Sequence, residues 1–280
     1  MIIDGKEIAK GILNKLNSLP KPGKFLAAVL VGDDESSVSF LKQKEKVAKE
    51  LGVDFRLYTF PKEIKNDDLR DEVRKIADHK TCGGVIVQLP LPEGVNAQYV
   101  LNAIPREKDV DVLGERALGA FYADRNPVVP PAVGVVQEIL VACRLPLVAS
   151  SVAVVGVGAL VGKPVSMWLT RRVKELRLLH KGSDFGMLQG ADIVILGAGQ
   201  VGIVTPEMLK ANACVIDFGY DAGKGDFDAS SLKSQISRLG RGSPGAANLK
   251  FEFSYTPTPG GTGPILVAKL FENFYKLASG

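Results

Sequence analysis

The chain has 280 residues, 46% of them hydrophobic and 24% charged, with a formal net charge of +4. That is an ordinary globular composition with enough apolar material for two domains, and it excludes a disordered or fibrous chain. The cationic excess is small and scattered, which gives no reason to expect a nucleic-acid partner but suits a modestly basic cleft for an anionic ligand.

Cys82, Cys143 and Cys214 are far apart in sequence, so neither a disulfide framework nor a zinc site is expected; no metal is called for, and the pattern fits a reducing cytosol. No apolar run approaches the roughly 18–20 residues of a membrane span. The start, MIIDGKEIAKGIL, lacks the basic region, apolar core and cleavage site of a signal peptide and suits an amphipathic first helix. A cytoplasmic location is therefore expected.

In chain order, FLAAVLVG (25–32) reads as a buried strand. The next segment, Ser36 to Gly52, has helical spacing, a Ser start signal and a Gly stop. Its lysines divide by face. Lys42, Lys46 and Lys49 form a solvated stripe, whereas Lys44 lies on the line Phe40, Lys44, Val47, Leu51. An ammonium among apolar neighbours is partly desolvated, which lowers its pKa and makes it a usable base near neutral pH. A lysine that snorkels from a half-buried face is the competing reading.

A second strand (53–60), a helix (66–79) and a third strand, GGVIVQLPLP (83–92), continue the alternation that gives a parallel sheet with helices on its faces. Gln88 is a polar residue near the carboxyl end of that third strand, where it needs a hydrogen-bond partner and where open α/β sheets place ligands. EKDVDVLG (107–114) then places Asp109 and Asp111 in a loop, as caps, turn formers or site residues.

A Pro-rich stretch, NPVVPPAVG (126–134), precedes a helix (133–145) and a new αβ cycle at SVAVVGVGALVGKP (151–164). There Gly156-Val157-Gly158-Ala159-Leu160-Val161-Gly162 follows a strand and opens a helix. This GxGxxxG turn suits phosphate at a helix N-terminus, or serves simply as a βα turn. The following strand ends Leu179-His180-Lys181, with a cation and no acid to hold a ribose. That favours a 2′-phosphate, hence NADP, unless Lys181 is only an exposed lysine. His180 reads as a loop or capping residue. ADIVILGAG and ACVIDFGY supply further strands, LGRGSPGAAN (239–248) reads as a surface loop, and YTPTPGGTGPILVAKLFENF (255–274) packs prolines and glycines before a last helix.

Together these segments resemble the bifunctional methylenetetrahydrofolate dehydrogenase/methenyltetrahydrofolate cyclohydrolase family. The resemblance rests on IIDGKEIAK, VGDDESSVSFLKQKEKVAKELGV, GGVIVQLPLPEGVN, IPREKDVDVLG, VVGVGALVGKPV, ADIVILGAG, VIDFGY and TPTPGGTGP, which appear in order over nearly the whole length. It implies two α/β lobes around a cleft: a folate-site domain over 1–120, completed by a C-terminal helix (264–280), and a Rossmann-like NADP-binding domain over 140–255. It also implies a homodimer and tetrahydrofolate one-carbon derivatives as substrates. The catalytic lysine falls on Lys44, its hydrogen-bonding glutamine on Gln88 and the pterin-gripping aspartate on Asp111. The folate site falls on Ser37, Phe40, Pro259, Gly260 and Gly263. Cofactor contacts fall on Gly156, Val157, Gly158, Val161, Gly162, Lys181 and Tyr220.

Some positions depart from the family pattern. Phe40 stands for a usual Tyr, Val157 for an Arg that helps bind the 2′-phosphate, Lys181 for a Ser, and Pro131 for a Thr; GGVGPMT has become GGTGPIL. The family's GDV motif falls on Gly225-Asp226-Phe227. A cyclohydrolase with weak or NAD-linked dehydrogenase activity, and a non-catalytic folate-binding relative, stay open as alternatives.

Overall fold

A computed structural model of the protein describes residues 1–230 and 253–279; the loop expected at 239–248 lies outside them. The chain divides into two compact units. One comprises Met1–Ile8 and Val135–Ile265, the other Ala9–Gly134 and Leu266–Gly280. Both are α/β, as the alternating pattern requires. Among the described residues, no helix is long and apolar enough to cross a membrane.

The unit built from Ala9–Gly134 has a three-stranded parallel sheet in the order β2-β1-β3. The strands are β1 (Phe25–Val31), β2 (Phe55–Phe60) and β3 (Cys82–Val87). β1 and β3 are buried at every position, whereas β2, at the edge, exposes half of its residues. A run such as FLAAVLV has no polar alternation because a central parallel strand is covered on both faces. One of its faces packs Ala27, Val29, Val85 and Val87 against Leu69, Val73 and Ala77 of helix α3 (Asn66–Asp78).

β3 stops at Val87, five residues short of the sequence expectation: Gln88 N makes the last bond to β1, at Val29 O (2.9 Å), and the prolines Pro90 and Pro92 that follow have no N–H to extend the ladder. Helices α1 (Gly5–Asn17), α2 (Glu35–Leu51), α4 (Ala97–Leu101) and α5 (Glu115–Tyr122) complete this part of the chain.

The other unit has a five-stranded parallel sheet, β5-β4-β6-β7-β8. Its strands are β4 (Ser151–Val155), β5 (Glu175–Leu179), β6 (Ile193–Leu196), β7 (Cys214–Asp217) and β8 (Ser254–Tyr255). Helix α6 (Pro131–Ala142) precedes β4, and α7 (Gly162–Leu169) joins β4 to β5. The N-terminus is part of this unit, where Ile3 N donates to Tyr255 O at 2.8 Å.

The last helix, α8 (Thr262–Ala278), packs its C-terminal part on the three-stranded sheet. A Cβ added at Gly84 would lie 2.7 Å from Val110 Cγ1 and 3.0 Å from Phe274 Cδ2, so glycine permits that approach. Buried Asn273 donates from Nδ2 to Val110 O at 2.9 Å and to Val129 O at 2.8 Å. One side chain thus ties the segment next to Asp111 to the C-terminal helix. Replacing it by Leu removes both donors, and each unpaired buried acceptor costs roughly 1–3 kcal/mol. Asn273→Leu is expected to lower the urea-unfolding free energy by about 2 kcal/mol or more; an unchanged midpoint would show that solvent replaces the lost donors.

Candidate active site

Helix α2 delivers the buried lysine. Asp34 caps its start, accepting from Ser37 N at 2.8 Å, and Gly52 closes its end with φ +66. The cap is therefore Asp34 and not the serine expected from the sequence. Between the caps the buried stripe runs Ser37, Leu41, Lys44, Ala48, Leu51. That is the expected stripe turned by one residue. Phe40 and Val47 flank it half-buried, because the i, i+4, i+7 face that meets the sheet is centred on Leu41 and Ala48.

Lys44 is only 8% exposed, and its Nζ donates to Gln88 Oε1 at 2.9 Å. Gln88 is oriented from both ends. Its backbone N donates to Val29 O at 2.9 Å, and its Nε2 donates to Leu89 O at 2.8 Å. With the amide nitrogen engaged on the backbone, the carbonyl oxygen faces the lysine. The acceptor is neutral, so it satisfies the amine without favouring the ammonium as a carboxylate would.

The two aspartates of the 107–114 loop have separate parts. Asp109 is buried and structural: its carboxylate accepts from Leu113 N at 3.0 Å and from Gly114 N, the cap of α5, at 2.8 Å. Burial pushes its pKa up to about 6, against the pull of those amides. The turn it staples forces Val112 to φ +56, a costly conformation for a β-branched residue that persists only when its surroundings hold it.

Asp111, one residue earlier, is half-buried and electrostatically coupled to Lys44. Desolvation lowers the Lys44 pKa, with Asp111 acting in the opposite direction. Desolvation also raises that of Asp111, with Lys44 opposing. Lys44, Gln88 and Asp111 therefore form one cluster, drawn from α2, the end of β3 and the loop before α5. The unfolded chain holds the Lys44 proton more tightly than the folded one does. Stability therefore rises with pH between the folded pKa and the ordinary lysine value, and below that window burial of the charged amine costs the fold stability.

The remaining candidates lie in the other unit. In the turn after β4, Gly156 has φ +86, and a Cβ there would meet Gly197 O at 2.5 Å and Ala198 Cα at 2.6 Å. A Cβ on Gly162 would meet Gly156 O at 1.8 Å, whereas one on Gly158 would meet nothing within 4 Å. The outer glycines thus allow the turn to close on itself, and the middle one leaves open space at the start of α7. A dinucleotide pyrophosphate fits such a turn. Val161 caps α7 and packs against Gly197, while Val157 is half-buried in the turn.

Lys181 and Tyr220 are exposed in the turns after β5 and β7. His180 organises its own turn, its N donating to Ser183 Oγ at 3.0 Å. Pro259 and Gly260 lie in the loop before α8 and Gly263 in its first turn, with Thr258-Pro259 cis and Gly260 at φ +97. A Cβ on Gly263 would meet nothing within 4 Å.

Sequence reasoning left two groups without a role. Asp217 ends β7 and Asp226 sits in the Gly225-Asp226-Phe227 turn; both are buried carboxylates bonded to backbone amides. Their position in ACVIDFGY and beside a glycine was visible, but apart from Gly219 N the amides their carboxylates bind are 9 to 28 residues away.

Residues 3–111 match the catalytic domain of the tetrahydrofolate dehydrogenase/cyclohydrolase family, and residues 130–280 match its NAD(P)-binding domain. The chain is 32% identical to the bifunctional protein FolD of Bdellovibrio bacteriovorus, over 99% of this chain and 96% of the relative. Among solved structures it is similar to the FolD methylenetetrahydrofolate dehydrogenase/cyclohydrolase of Campylobacter jejuni, with 26% identity, a TM-score of 0.87, and coverage of 100% of this chain and 98% of that one. It is also similar to the Trypanosoma brucei FolD complexed with NADP and an inhibitor, with 26% identity, a TM-score of 0.85, and coverage of 100% and 97%.

Proposed function

The chain belongs to the tetrahydrofolate dehydrogenase/cyclohydrolase family, and from that membership we propose that Lys44, Gln88 and Asp111 are the groups that act on folate. The protein oxidises 5,10-methylenetetrahydrofolate to 5,10-methenyltetrahydrofolate with NADP and hydrolyses the product to 10-formyltetrahydrofolate. The observation that carries the assignment of residues is the buried Lys44–Gln88 hydrogen bond with Asp111 beside it.

In the hydrolytic step, water attacks a cationic methenyl carbon and must lose a proton as it does so. A base with a fixed positive charge would repel that carbon, and a carboxylate would pair with it. Lys44, biased toward the neutral amine by desolvation, takes the proton without either penalty. Gln88 aims the amine through an uncharged contact. Asp111 offers carboxylate oxygens to the amino and ring N–H groups of the pterin and so sets its orientation. Half-buried Phe40 gives a flat apolar face for the same ring.

When bound, NADP supplies the hydride acceptor. Gly156, Gly158 and Gly162 with the start of α7 would hold its pyrophosphate, flanked by Val157 and Val161, while Lys181 and Tyr220 would reach its outer parts. These residues contribute alignment, the main protein contribution to hydride transfer. Pro259, Gly260 and Gly263 fall on the family's folate-site loop; of these, Gly263 has open space at its Cβ position, which permits close approach of a ligand to its backbone.

Two outcomes test this division. Lys44→Met keeps the apolar bulk and removes the base. Its cyclohydrolase rate, followed by methenyl absorbance, is expected to fall by roughly 10²–10⁴-fold with the fold intact, as loss of a general base implies. Hydrolysis at the wild-type rate would remove Lys44 from the mechanism. The second outcome concerns the cofactor, where Val157 brings no cation and Lys181 is the one cation at the end of β5. A charge-assisted contact contributes roughly 1.5–3 kcal/mol. Lys181→Ser is therefore expected to erase most of the preference for NADP over NAD in kcat/KM; an unchanged ratio would make Lys181 a solvated surface residue.

A further inference from the structure

Three consecutive backbone amides follow β6, and they converge on one side chain. Ala198 N and Gly199 N donate to Asp226 Oδ2 at 2.7 and 3.0 Å, and Gln200 N donates to Asp226 Oδ1 at 2.7 Å. Successive N–H groups turned to one point make an anion-binding concavity. Here it is filled from within, by a carboxylate that is 1% exposed. The loop it organises is the one that touches the dinucleotide turn, since the Gly156 backbone packs on Gly197 and Ala198 and Val161 packs on Gly197.

The Asp226 turn is itself held. Asp217, 2% exposed at the end of β7, accepts from Gly219 N at 2.7 Å, Asp226 N at 3.3 Å and Phe227 N at 3.0 Å. A Cβ on Gly225 would fall 2.1 Å from Asp217 Oδ2, so only glycine allows this seat. The zipper continues in the backbone, with Gly202 N to Gly225 O at 3.0 Å and Val204 N to Asp226 O at 3.0 Å. On its other side, Asp217 is joined to the Pro-Gly loop. Its N donates to Thr256 Oγ1 at 2.8 Å, and its O accepts from Thr262 Oγ1 at 2.8 Å.

We propose that Asp226 is a positioning residue for the nicotinamide cofactor. Its carboxylate occupies the amide cradle of residues 198–200 and fixes the rim on which the Gly156 turn is built. Asp217 fastens the same turn to the Thr256–Thr262 loop. Phosphate recognition is thereby left to the Gly156–Gly162 turn, because the second cradle is already taken. This assignment rests on the dinucleotide reading of that turn.

The test is calorimetric titration of NADP into wild type and Asp226→Asn, with cyclohydrolase rates measured in parallel because that reaction consumes no dinucleotide. The variant turns an amide nitrogen toward backbone donors and is expected to weaken NADP binding by roughly tenfold or more, with a much smaller loss of cyclohydrolase. Undiminished NADP affinity, or equal loss of both properties, overturns the assignment. A wild type that does not bind NADP overturns the dinucleotide reading and this assignment with it. Should Asp226→Asn fail to fold, amide hydrogen exchange on the wild type decides. The amides of Ala198, Gly199 and Gln200 are expected to exchange slowly without NADP. Fast exchange that becomes slow only with NADP would show that they serve the ligand and not Asp226.

Discussion

Burying an amine without giving it a counter-ion at hydrogen-bond distance is the constraint on which the catalytic unit turns. Lys44 sits on the stripe of α2 that should hold aliphatic side chains, and its one hydrogen-bond acceptor at Nζ among the described residues is the uncharged Gln88. A carboxylate at that distance would have held the proton and ended any use as a base. Asp111 contributes a longer-range field that opposes desolvation without cancelling it. Much of the surrounding architecture serves this arrangement. The cis Leu89-Pro90 bond lies where Gln88 turns off the strand, Asp109 staples the turn that carries Asp111, and Asn273 on α8 holds the carbonyl of Val110.

The cofactor unit solves a different problem with backbone. Its sheet ends in turns that approach one another more closely than side chains permit, at Gly156 against Gly197 and Ala198, at Gly162 against Gly156, and at Gly225 against Asp217. Close approach leaves amides in need of acceptors, and two buried aspartates supply them. Asp217 illustrates the cost: burial raises its pKa to about 6 despite three amide donors.

Much of this was legible in the chain because the informative residues contradict their local pattern. Lys44 interrupts a helical stripe, and Gln88 interrupts a strand of aliphatic residues; each could be singled out from periodicity alone. Their partnership could not, since they are 44 residues apart, and it entered through the family resemblance. Periodicity placed the stripe of α2 to within one residue but not its start, because Asp34 and Ser36 both have capping chemistry and only the backbone decides between them. KDVD left two equivalent acids; burial and the amides of Leu113 and Gly114 assign Asp109 to the turn. Asp217 and Asp226 sit in segments that the resemblance marks and Asn273 in none, but the roles of all three were not legible, because an acid at a strand end or an amide on a helix acquires meaning only from distant backbone.

Desolvation and a neutral acceptor make the Lys44 amine titrate below an ordinary lysine. Lysine-selective ¹³Cε NMR titration measures this, with the Lys44 resonance assigned by its absence from a Lys44→Met spectrum. A Lys44 transition clearly below the model-peptide lysine value of about 10.4 is expected. A Lys44 resonance with the transition of a model-peptide lysine, near pH 10.4, would contradict it.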